Sequence, residues 1–209
     1  MVRRRYRLRF SKRGNLRFIG HRDLLRAVER VLRRARLPVA MSQGFHPKPR
    51  VSYLSALPLG FSSDDEAMEL ILDEELSPDD LLARLNASSV VGLDFLSAIF
   101  LDDKTPKQQA LSFSYDMQIP ERLIDGVRTR IEDFLGRASV EVEKSNGKLV
   151  DARAPVLDLQ LSGDSLQFTL AAQTGPEVGA REILTCLGLG AELYRSIFPN
   201  RSKSTIRED

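Results

Sequence analysis

The sequence predicts an α+β chain built on antiparallel sheets, and three observations predict it. Residues 3–10 and 111–119 alternate between apolar and polar side chains with a period of two. Each is followed by an amphipathic helical run, and a polar, proline-containing stretch at 102–109 separates the two halves.

In the first half, Tyr6, Leu8 and Phe10 share one face of a strand, and Arg3, Arg5, Arg7 and Arg9 share the other. Lys12-Arg13-Gly14 makes a turn, and Leu16–Ile19 reads as a short extended return. A helix is predicted from His21 to Arg36, with Leu24, Leu25, Val28, Val31, Leu32 and Ala35 at helical spacing. Leu37-Pro38 ends it, because the residue before proline avoids the α region. Val39–Ser42 reads as a second strand, Val51–Leu54 as a further strand or edge, and Ala67–Leu72 as a strand. Ser77-Pro78-Asp79-Asp80 carries an N-cap, a proline at the first helical position and two first-turn acids, so a helix begins there. Val90–Leu101 closes the unit as a strand.

The second half repeats the order. Leu111–Ile119 is a strand, and Pro120 opens a helix with Leu123, Ile124, Val127, Ile131, Phe134 and Leu135 on its apolar face. Asn146-Gly147 signals a hairpin after Val140 and Val142. Val156–Leu161 should pair with Leu166–Leu170 across Gly163-Asp164. A short helix over 179–187 and a strand over 192–198 complete the series. The order β-α-β-β-α-β, twice, predicts tandem ferredoxin-like sandwiches, one over 1–103 and one over 110–198. A polar tail, expected to be mobile, covers 199–209.

Charge is distributed unevenly. Sixteen of the 31 Lys and Arg fall in the first fifty residues, against two of the 29 acids, Asp23 and Glu29. The net +2 therefore combines roughly +14 at one end with −12 over the rest. A basic end of this kind meets a polyanion, and RNA is the leading candidate. No apolar run reaches the ~18–20 residues that span a bilayer. One cysteine, Cys186, excludes an intrachain disulfide and a cysteine-rich metal site, and it lies in an apolar helical run as a buried thiol. Only His21 and His46 add to the possible metal ligands, so no metal and no cofactor are expected, and the expected compartment is the cytoplasm. No phosphate-binding loop, dinucleotide fingerprint or serine elbow is present.

Three groups of residues could contact an anion. Arg5, Arg7 and Arg9 recur about 6.6 Å apart along a strand, close to the spacing of phosphates in an extended backbone. Arg22, Arg26, Arg30 and Arg33 line one helical face, with a planar fork suited to phosphate. Ser42–Arg50 is a stiff loop, in which Gly44 permits a positive φ, Pro47 and Pro49 fix the chain, and His46, Lys48 and Arg50 project. His21 could join an anion at the helix N-terminus or make a capping hydrogen bond. The bland alternatives are a basic face neutralised by the acidic segment Asp64–Glu75, and a loop anchored by Phe45 in the core. With Tyr6, Phe10 and Phe18 assigned to the core, backbone recognition is expected over base reading.

The string Phe18-Ile19-Gly20-His21-Arg22-Asp23-Leu24-Leu25-Arg26, then Leu37-Pro38, Ser42-Gln43-Gly44-Phe45-His46-Pro47-Lys48-Pro49-Arg50 and Ala56-Leu57-Pro58-Leu59-Gly60, resembles the bacterial radical SAM-linked protein family. The resemblance is specific over 1–75 and extends more loosely through Leu149-Val150-Asp151-Ala152-Arg153. It implies a radical SAM enzyme as partner, and the missing cysteine triad fits a chain that is not itself that enzyme. A remoter similarity, in layout and in Gly44-Phe45-His46-Pro47, is to CRISPR repeat-processing endoribonucleases.

Three functions follow as expectations. The first is a non-catalytic RNA-binding accessory to a radical SAM enzyme in tRNA or rRNA modification, contacting RNA through Arg5, Arg7, Arg9, His21, Arg22, Arg26, His46, Lys48 and Arg50. The second is a metal-independent endoribonuclease with His21 or His46 as general acid–base. The third is a protein-binding adaptor that touches no nucleic acid.

Overall fold

The alternation at residues 4–12 becomes strand β1 (Arg4–Lys12), whose Tyr6, Leu8 and Phe10 are fully enclosed. The computed structural model describes residues 3–102, 104–144, 146–172, 178–190 and 197–207. It divides them into two compact units, the first over 1–110 with 206–209, the second over 111–205.

In the first unit, β1 is followed by α1 (His21–Arg34), β2 (Val51–Tyr53), β3 (Ser62–Leu72), α2 (Pro78–Ala87) and β4 (Leu93–Leu101). The strand order is β4-β1-β3-β2, and every pairing is antiparallel. Leu24, Val28, Val31 and Leu32 of α1 and Leu81 and Leu85 of α2 pack on the inner sheet face against Leu8, Met68, Leu70 and Phe95. Each such fully buried side chain contributes about 1.5–3 kcal/mol. The Tyr6 hydroxyl donates to Leu76 O at 2.7 Å and accepts from Leu76 N at 2.9 Å. Ser77 caps α2 by accepting from Asp80 N at 3.1 Å, as its sequence position requires.

Three expectations here are corrected. Gly14–Phe18 is a turn of 3-10 helix, not an extended return, because Gly14 takes φ +59° and wraps the chain. Val39–Ser42 makes only isolated bridges, Val39 to Leu72 and Met41 to Pro49, and the strand that pairs with β3 is β2. Helix α1 also stops two residues early: Arg36 turns to φ +51° ahead of Leu37-Pro38.

The second unit runs β5 (Ala110–Gln118), α3 (Ile124–Gly136), β6 (Glu141–Glu143), β7 (Leu149–Asp151), β8 (Val156–Ser162), β9 (Ser165–Ala171), α4 (Ala180–Cys186) and β10 (Asn200–Ile206). Its order is β10-β5-β9-β8, with β6 and β7 paired apart as a hairpin. Asp151 closes that hairpin by accepting from Val140 N at 3.0 Å and Arg153 N at 2.9 Å. These backbone hydrogen bonds hold its carboxyl below the usual range. Strands β8 and β9 meet across Gly163-Asp164, in the expected pairing.

The polar tail is the main correction. Residues 200–206 form β10, and Arg201, Ser204 and Ile206 are buried. The Arg201 guanidinium lies 4.3 Å over the Phe113 ring and donates to the Tyr115 hydroxyl at 3.1 Å. Of the strand expected over 192–198, residues 192–196 lie outside the described ones.

Candidate functional site

The arginine stripe of β1 meets an acidic stripe on β3. Register places Arg7 opposite Glu69 and Arg5 opposite Ile71 on the outer sheet face. Arg7 is buried, with Nη2 3.1 Å from Glu69 Oε1. Arg5 Nε lies 3.8 Å from Glu69 Oε2, and Arg9 pairs with Asp65 at 2.9 Å. At the ends of the strand, Arg3 pairs with Asp73 at 3.4 Å and Arg4 with Glu75 at 2.7 Å, while Arg13 pairs with Asp64 at 2.8 Å. The predicted Arg5, Arg7 and Arg9 are therefore each engaged by a carboxylate inside the first unit.

The arginines of α1 are placed differently. Arg22, Arg26, Arg30, Arg33, Arg34 and Arg36 are all exposed. Amphipathicity dictates this, since the opposite face carries Leu24, Val28, Val31 and Leu32. Arg26 pairs with Asp23 at 3.3 Å within the helix, an exposed contact worth at most ~1 kcal/mol. The exposed basic surface of the first unit thus belongs to α1 more than to β1.

The Ser42–Arg50 loop stands out from the unit. Ser42 N donates to Lys48 O at 2.8 Å, and Lys48 N donates to Ser42 Oγ at 2.9 Å, so the base of the loop is tied. Gly44 takes φ +126°, a conformation open only to glycine, and aims the tip outward. Phe45 is fully exposed at the tip beside exposed His46 and Lys48, so it anchors nothing in the core.

His21 begins α1 without capping it. Gly20 is the N-cap and has no side chain, and His21 Nδ1 is enclosed without a hydrogen-bond partner. The ring packs edge-on to Tyr53 at 5.7 Å. Burial lowers the His21 pKa from its usual 6.5, with Glu66 opposing the shift and Lys12 adding to it. Burial likewise pushes the Tyr53 phenol upward. Lys12 and Glu66 sit almost wholly inside, with Lys12 Nζ donating to Ile19 O at 3.1 Å. Sequence reasoning missed both. The sequence sign was present in the alternation, which puts Lys12 on the face of Tyr6, Leu8 and Phe10; reading Lys12-Arg13-Gly14 as a turn hid it.

Arg5 and Arg50 do come together. With Ser52, Glu69, Ile71 and Lys107 they line a cavity of about 320 Å³ on the outer face, across β1, β3 and β2. Arg50 also lines an adjoining cavity of about 330 Å³ with Arg3, Ser42 and Gln43. Lys107 lies in the stretch read as a polar linker. Arg5 Nη2 donates to Thr105 O and, at 3.3 Å, to Pro106 O, while Gln108 N donates to Glu69 Oε1 at 3.2 Å and Gln108 Nε2 to Ser52 O at 3.2 Å.

Residues 5–180 match a family model described as an uncharacterized protein conserved in bacteria, DUF2344. The chain belongs to that family. The matched span of this DUF2344 protein holds α1, the Ser42–Arg50 loop and every residue lining the first cavity, and it stops short of β10. A comparison with curated proteins finds no match. Among the described residues, no group of three or more His, Cys, Asp or Glu could hold a metal ion, and no helix is long and apolar enough to cross a membrane. The Cys186 thiol is raised by burial and stays protonated at neutral pH.

Proposed function

We propose that this DUF2344 protein is a non-catalytic RNA-binding accessory protein that works with a radical SAM enzyme in RNA modification. The observation that carries the RNA reading is the exposed arginine face of α1, unneutralised apart from Arg26, next in sequence to a loop with Lys48, Arg50 and a fully exposed Phe45. Guanidinium groups on one helix face suit a phosphate backbone, and an exposed aromatic ring between cations suits an unpaired base. Both units are read as ferredoxin-like. The orders β4-β1-β3-β2 and β10-β5-β9-β8, with helices after the first and third strands of each, support that reading. The radical SAM link rests on sequence resemblance alone, in Phe18–Arg26, Leu37-Pro38, Ser42–Arg50 and Ala56–Gly60 and more loosely in Leu149–Arg153.

On this reading Arg22, Arg26, His46, Lys48 and Arg50 contact RNA, and Arg7 and Arg9 support the sheet beneath. Phe45→Ala should weaken binding to single-stranded RNA by about 1–3 kcal/mol, the worth of one stacked base. It should leave binding to a duplex of the same sequence nearly unchanged. Comparing both ligands by fluorescence anisotropy checks this, and equal losses on the two would remove Phe45 from base recognition. A radical SAM enzyme encoded beside the chain should co-elute with it after nuclease treatment.

A second reading, a metal-independent endoribonuclease, is favoured by one observation. Burial lowers the His21 pKa and so favours the neutral imidazole, the form in which a histidine acts as general base. It predicts EDTA-resistant cleavage that leaves cyclic phosphate ends and is lost in His21→Ala.

A further inference from the structure

The cavity lined by Arg5, Arg50 and Lys107 is too small for a nucleic-acid groove but large enough for one nucleotide, at about 320 Å³. Its three cations come from three separate segments: β1, the approach to β2, and the stretch after β4. Its one carboxylate, Glu69, already accepts from Arg7 at 3.1 Å and from Gln108 N at 3.2 Å. The lining therefore carries a positive excess of two. A phosphodiester brings one negative charge, whereas a phosphate monoester brings about −1.5 to −2 at neutral pH.

Arg5 and the chain that carries Lys107 are held in place. Carbonyls of Thr105 and Pro106 are tied by Arg5, and Gln108 is tied by Glu69 and Ser52, so the backbone on both sides of Lys107 is fixed. Arg50 and Lys107 are exposed and make no ion pair among the described residues. One polar atom of this lining, Arg5 Nε, 3.8 Å from Glu69 Oε2, is enclosed without a hydrogen-bond partner, a costly arrangement for a donor unless an acceptor such as a phosphate oxygen meets it. Ile71 adds an apolar wall and Ser52 a hydroxyl.

We propose that this cavity binds a phosphate monoester, either on a free mononucleotide or at the end of an RNA chain. The site stands on its own geometry and does not depend on the α1 surface. Arg50, shared with the adjoining cavity toward Ser42 and Gln43, would lead an RNA chain from its terminal phosphate toward the loop.

Calorimetric titration of the full chain with 5′-AMP, adenosine and inorganic phosphate tests it. AMP should bind, adenosine should not, and phosphate should compete with AMP. Arg50→Ala and Lys107→Ala should each weaken AMP about tenfold or more without moving the thermal midpoint, since both are exposed and unpaired. Equal behaviour of AMP and adenosine, no AMP binding, or AMP binding indifferent to both substitutions would overturn the proposal. RNA oligomers with a 5′-phosphate or a 5′-hydroxyl separate the two sources. An RNA end gives tighter binding of the phosphorylated oligomer that Arg50→Ala erases, while a free nucleotide gives AMP binding without that preference. Arg22→Glu with Arg30→Glu should weaken the oligomers and leave AMP untouched, so loss of the α1 surface and loss of the cavity read out separately.

Discussion

His21, Lys12 and Glu66 show how much a few inward polar side chains can decide. The alternation of β1 carries a lysine inside at its end, and Glu66 lies opposite Phe10 on the inner face of β3, so their opposed charges both act on His21. Because burial lowers the His21 pKa, the unfolded chain binds more protons than the folded one around pH 6. Stability should therefore be complete above about pH 6.5 and decline as pH falls through that value toward the lowered one. Thermal melts from pH 5 to 8 should show this decline in the native chain and a shallower one in His21→Gln; identical slopes would show that His21 does not titrate within the fold. Arg7 and Glu69 make a second, opposite case, since both are buried and paired at 3.1 Å. Glu69→Ala strands a buried guanidinium and should cost about 3–5 kcal/mol in urea unfolding. A loss below about 1 kcal/mol would show that water reaches Arg7 freely. The setting of His21 was not visible in the sequence, and the Arg7–Glu69 pair was visible only as the alternative that the acidic segment Asp64–Glu75 neutralises the basic face. Alternation assigns Arg7 to an outer face correctly but cannot say that β3 covers that face with Asp65 and Glu69, because the pairing of strands 60 residues apart is a tertiary fact.

Elements with strong local chemistry were legible. Ser77-Pro78 caps α2, the Asn146-Gly147 turn makes a hairpin, and the apolar spacing of α1 matches its buried face. Elements defined by their neighbours were legible only in part. Val39–Ser42 has strand composition but no partner beyond single bridges, whereas Val51–Leu54, read as a strand or edge, does form β2 because β3 offers it an edge. Strand β10 was hidden most completely: Asn-Arg-Ser-Lys-Ser-Thr-Ile looks like a solvated tail, yet Arg201 is buried by lying over Phe113 and bonding Tyr115. Deleting residues 199–209 should consequently destabilise the second unit and raise its binding of a hydrophobic dye. An unchanged thermal midpoint after deletion would contradict a structural role for β10.

Across the chain, the basic N-terminal half resolves into two populations. The strand arginines answer the acidic segment 64–75, as the bland alternative anticipated, while the α1 arginines and the Ser42–Arg50 loop remain open to solvent. Composition reports the sum of these two and cannot divide it; only register and helix orientation do. The RNA-binding proposal thus narrows to one helix face and one loop. The salt dependence of binding to a structured RNA with single-stranded loops, measured for the native chain, Arg22→Ala/Arg30→Ala/Arg33→Ala and Arg9→Ala, examines it. A steep negative slope is predicted for the native chain, flattened by about 0.7–0.9 per α1 arginine that contacts a phosphate and unaltered by Arg9→Ala. Absence of binding at low salt, or a slope that the triple substitution leaves unchanged, would contradict the assignment of RNA to this face.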